Sequence, residues 1–91
     1  MSACGGLSFK NVTQSVWNSL IATVKADTGI TIPPTEYQGS LTQTGFTFVW
    51  NVNIEAATGS IQCTDSPFFV PCSAINSKII SVVTSCGAQQ A

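Results

Sequence analysis

The segment Phe46-Thr47-Phe48-Val49-Trp50-Asn51-Val52-Asn53-Ile54 decides how the rest of the chain is read. Phe46, Phe48, Trp50, Val52 and Ile54 fall on one side of an extended backbone. Thr47, Val49, Asn51 and Asn53 fall on the other. Alternation with a period of two marks a strand that buries one face and wets the other. Ala56 to Gly59 then reads as a turn and Ser60 to Thr64 as a returning strand, so the centre of the chain predicts a hairpin with one apolar face.

That face needs a cover, and the flanking segments supply two. On the N-terminal side, Phe9, Val12, Val16, Leu20 and Val24 recur at spacings of three and four, with Trp17 and Ile21 widening the stripe. The spacing predicts an amphipathic helix over 9–27, capped by Ser8 and stopped by Gly29. On the C-terminal side, Ile75, Ile79, Val82, Val83 and Cys86 predict a second helix over 73–86, between Ser73 and Gly87. Ile30 to Ile32 predicts a short strand ended by Pro33 and Pro34, and residues 33–44 a loop with a brief strand around Tyr37 to Leu41. Residues 88–91 read as a frayed tail. The expected fold class is α+β. It is a two-layer sandwich in one domain, 1–91, with two amphipathic helices packed on one face of a small antiparallel sheet.

Charge narrows the range of functions. Of 91 residues only three are Lys, four are acidic and none is Arg or His, while 44% are apolar. The apolar share allows a core and argues against disorder. Lys10, Lys25 and Lys78 are too few and too scattered for a nucleic-acid footprint. No apolar run approaches the ~20 residues of a membrane span. Residues 1–9 lack the charged and apolar regions of a signal peptide. Without His the commonest general base is missing, and Asp27, Glu36, Glu55 and Asp65 each fall near a helix end, loop or turn. No catalytic residue, metal site or cofactor is expected. Asn11-Val12-Thr13 matches the N-glycosylation pattern.

The four cysteines, at 4, 63, 72 and 86, contain no Cys-x-x-Cys pair, which argues against zinc. An even number in a short, charge-poor chain reads as two disulfides formed in an oxidising compartment, and so as a secreted protein. Three pairings are open. Cys63–Cys72 with Cys4–Cys86 is preferred, because the first closes a short local loop and the second ties the chain ends.

The loop Cys63-Thr64-Asp65-Ser66-Pro67-Phe68-Phe69-Val70-Pro71-Cys72 is the candidate binding element. A disulfide and two prolines would stiffen it around Phe68, Phe69 and Val70, and three consecutive apolar residues cannot all point into one core. Cys-Thr-x-Ser-Pro before a second Cys resembles the reactive loop of Bowman–Birk protease inhibitors over these ten residues. Asp65 would stand at the specificity position, the loop is one residue longer, and the remaining cysteine framework is missing. In size and composition alone the chain is similar to small secreted fungal effectors and killer toxins, so no residue role is transferred.

The expected function is that of a secreted, disulfide-stapled interaction module, effector-, toxin- or inhibitor-like and without catalysis, with a protein as partner. The alternative is a carrier whose helices and sheet hold a small apolar ligand against Trp17, Phe46, Phe48 and Trp50. An apolar cavity in the core would favour the carrier.

Overall fold

The structure, a computed structural model, describes residues 3–43, 45–67 and 69–91. In chain order it contains β1 (Leu7–Lys10), α1 (Gln14–Thr28), β2 (Gln38–Gln43), β3 (Phe46–Asn53), β4 (Thr58–Asp65), α2 (Cys72–Ser85) and β5 (Gln89–Gln90). The described residues thus form two helices and one five-stranded antiparallel sheet ordered β2-β3-β4-β1-β5, an α+β fold.

The central hairpin is the one expected. β3 pairs with β4 from Thr47↔Asp65 to Asn53↔Thr58, with one extra residue of β4 accommodated between Thr47 and Phe48. The turn is closed by Ala57 N–H donating to Ile54 O at 3.1 Å. Register fixes the inward face. Trp50 stands opposite Gly39 and Ile61, and Phe48 opposite Leu41 and Cys63. Trp50 and Val52 are buried, while Phe46, Phe48 and Ile54 are only half-buried. On the outward face Ser40, Thr42, Val49, Asn51, Asn53, Thr58 and Ser60 are exposed, so among the described residues no second layer covers that side.

The N-terminal part differs from expectation. The helix begins at Gln14, and Phe9 and Lys10 belong to β1. Phe9 fits either period, because one large apolar residue satisfies a strand face as well as a helix stripe. Asn11 separates the two elements with φ +61°, a left-handed conformation that Asn tolerates and a helix interior does not. Thr13, not Ser8, caps α1, accepting from Val16 N–H at 3.3 Å. Gly29, at φ +77°, ends it as anticipated. Ile30–Ile32 makes no strand; Ile32 is buried as a loop residue. The tail is held rather than frayed. Gln89 and Gln90 pair with Lys10 and Phe9, and Ala91 N–H donates to Ser8 O at 2.9 Å.

The disulfide pattern is also corrected. A single bond joins Cys4 to Cys72, with Cα atoms 5.4 Å apart, while Cys63 and Cys86 are free thiols. The segment before β1 lies along β4, where Cys4 N–H donates to Cys63 O at 2.8 Å, and this places Cys4 beside the start of α2. Cys86 follows the far end of the 14-residue α2, roughly 20 Å along the axis from Cys72, out of reach of Cys4. Cys63 points inward, 0% exposed, and its thiol donates to Asp65 O at 3.2 Å.

Candidate functional site

Between the helices and the inward face of the sheet lies an apolar cleft of about 520 Å³. Protein interiors rarely hold voids larger than a water molecule, and this volume falls in the range of small-molecule pockets, about 300–1,000 Å³. The arrangement of α1 and α2 explains it. Thr23 Oγ1 lies 3.7 Å from Cys86 Sγ, and a Cβ on Gly87 would stand 3.2 Å from Val16 Cγ2, so the helices meet around the C-terminal end of α2. Elsewhere Val24 of α1 and Ile79 and Val82 of α2 face the cleft and stay half-buried.

The buried part of the lining is built on two indoles. Trp17 and Trp50 pack with ring centroids 6.4 Å apart at 47°. Each indole N–H donates to the turn that follows α1, Trp17 to Pro34 O at 3.1 Å and Trp50 to Glu36 O at 3.0 Å. Buried indoles need such a partner. Tyr37 OH donates to Gln14 Oε1 at 2.7 Å and fastens the same turn to α1. Gly39 lets the sheet approach Trp50, because a Cβ there would lie 2.8 Å from Cζ2.

The half-buried part of the lining includes Phe46 and Phe48, stacked at 6.2 Å and 10°. The uncharged polar side chains along the walls each donate to a backbone carbonyl. Thr23 Oγ1 donates to Ser19 O at 2.9 Å, Thr28 Oγ1 to Val24 O at 2.7 Å, and Gln43 Nε2 to Thr28 O at 3.3 Å. The charged lining residues, Asp27 on α1 and Lys78 on α2, are both exposed.

Of the expected binding residues, Val70 lines this cleft and is half-buried. Phe69 is 74% exposed on the adjacent turn, in which Val70 N–H donates to Pro67 O at 3.0 Å. Phe68 lies outside the described residues. The loop is not closed by a Cys63–Cys72 bond, so the covalent frame behind the likeness to an inhibitor loop is missing. Trp17, Phe46, Phe48 and Trp50 all border the cleft. Sequence reasoning missed Lys78 and Asp27 as lining residues, because a lone charge on a helix gives no sign of the wall it stands on.

Among the described residues no helix is long and apolar enough to cross a membrane, and no group of His, Cys, Asp and Glu could hold a metal ion. Asp27, Glu36 and Glu55 are exposed and Asp65 half-buried, on α1, the 33–37 turn, the β3–β4 turn and the end of β4. The chain matches no protein-family model, no curated protein and no solved structure.

Proposed function

We propose that this protein is a small secreted carrier that binds an apolar molecule in the cleft between its helices and its sheet, without catalysing a reaction. The observation that carries the reading is the 520 Å³ apolar cleft. A chain of this size has little core to spare. Leaving Phe46, Phe48, Val24, Ile79 and Val82 half-buried forgoes part of the stabilisation that closure would bring, about 25 cal/mol per Å² of apolar surface. A ligand that fills the space restores it. Four carboxylates on four separate segments and the lack of any His support a non-catalytic role. The Cys4–Cys72 bond supports maturation in an oxidising compartment.

A second reading, a protein-binding module, is favoured by Phe69, whose 74% exposure gives a partner an aromatic anchor. The two readings separate in one titration. Both tryptophans of the chain line the cleft, so dodecanol added below its solubility limit should change their emission saturably at one molecule per chain. Val82→Phe, which adds bulk to the cleft wall without adding a further indole, should weaken the response strongly, and Phe69→Ser should preserve it. No saturable response from the folded wild type would sink the carrier reading and leave the Phe69 surface as the better candidate.

A further inference from the structure

If the cleft is a carrier site, the chemistry of its lining specifies the ligand more closely than apolarity alone. From Trp17 to Thr28 on α1 and from Ala74 to Val83 on α2 the cleft runs about 15 Å along the helices. It is therefore elongated. Along its sides the hydroxyl donors of Thr23 and Thr28 and one amide donor of Gln43 are committed to backbone carbonyls, which leaves few side-chain donors for a ligand. A polar atom carried deep into the cleft would be desolvated without a partner, which is costly. The polar part of the ligand is best placed at the exposed charged residues of the lining, one cation and one anion on opposite helices, Lys78 and Asp27. Among the described residues neither forms an ion pair or a side-chain hydrogen bond. A net anionic head group meets attraction from one and repulsion from the other, and so does a net cationic one. A head group with both signs satisfies both.

We propose that the cleft takes a single-chain zwitterionic amphiphile, an assignment that rests on the carrier reading. Its aliphatic tail lies along Phe46 and Phe48 towards Trp17 and Trp50. Its anionic group faces Lys78 and its cationic group faces Asp27. The molecule is taken up as a free monomer.

Four probes sharing a dodecyl chain test this when used below micelle formation: dodecylphosphocholine, dodecanoate, dodecyltrimethylammonium and dodecanol. Dodecylphosphocholine should bind several-fold more tightly than the other three, since exposed charge pairs contribute modestly. Lys78→Met should remove that advantage and favour the trimethylammonium probe, and Asp27→Asn should favour dodecanoate. Lengthening the phosphocholine tail should tighten binding about fourfold per methylene until the cleft is full. Equal binding of all four probes, unchanged in both variants, would overturn the head-group assignment and leave the carrier reading standing. Binding of none would overturn both. Partition onto phosphatidylcholine vesicles without monomer binding would overturn uptake from solution.

Discussion

At the scale of single residues, Trp50 and Gly39 form one unit. The indole lies over the glycine of the neighbouring strand, and its N–H is fixed by Glu36 O. Gly39→Ala places a methyl 2.8 Å from Cζ2 of a buried ring that a hydrogen bond holds in place. It should destabilise by about 1–3 kcal/mol, as overpacking does, and shift Trp50 emission. Denaturant unfolding checks this, and an unchanged midpoint would show that the ring moves aside freely. Trp50→Ala should cost about 3–5 kcal/mol. The importance of Trp50 was legible from its place in the alternating segment. Gly39 was not, because a strand glycine is significant only through the ring opposite, and pairing register is not visible in a single chain.

Among the elements, α2 shows where reading the sequence stopped. Its stripe is explicit, yet what anchors its start is not Cys63, nine residues earlier, but Cys4, 68 positions away. Local closure is the natural guess from spacing. It fails because β4 runs on to Asp65 with Cys63 facing inward, while the strand pairing of β1 carries Cys4 alongside. The helix start at Gln14 was hidden for a related reason, since Phe9 is recruited by the sheet and Asn11 breaks the backbone. The bond closes a loop with a separation of 68 residues, worth about 4 kcal/mol in the chain-entropy model. Cys4→Ser should therefore lower stability by several kcal/mol, and Cys86→Ser much less. Thiol titration of the unfolded, unreduced protein should find two free thiols. In the native state Cys86, half-buried, should react before Cys63, which is fully enclosed. A count of zero would restore the two-disulfide expectation.

The whole molecule combines a sheet with one wet, nearly uncharged face and two helices that cover the other face incompletely. Composition announced the first property, because so few charges leave Ser, Thr, Asn and Gln to meet water. The second could not be read from periodicity, which says which side chains turn inward but not how closely two helices approach. The open cleft sets stability against function. If it is kept open for a ligand, filling it should stabilise the free protein while removing its binding. Val82→Phe adds apolar volume at a half-buried position that lines the cleft. It should raise the melting temperature of the ligand-free protein by a few degrees, the shift expected of about 1 kcal/mol in a domain of this size. It should also weaken binding of a dodecyl probe at least tenfold. The same substitution in a cleft that merely reflects imperfect packing would stabilise as well, so binding is the discriminating readout. A stabilised variant that still takes up the probe with wild-type affinity would place the ligand elsewhere. Phe69→Ser supplies the control, since a side chain 74% exposed contributes little to the core and its loss should leave the melting temperature nearly unchanged.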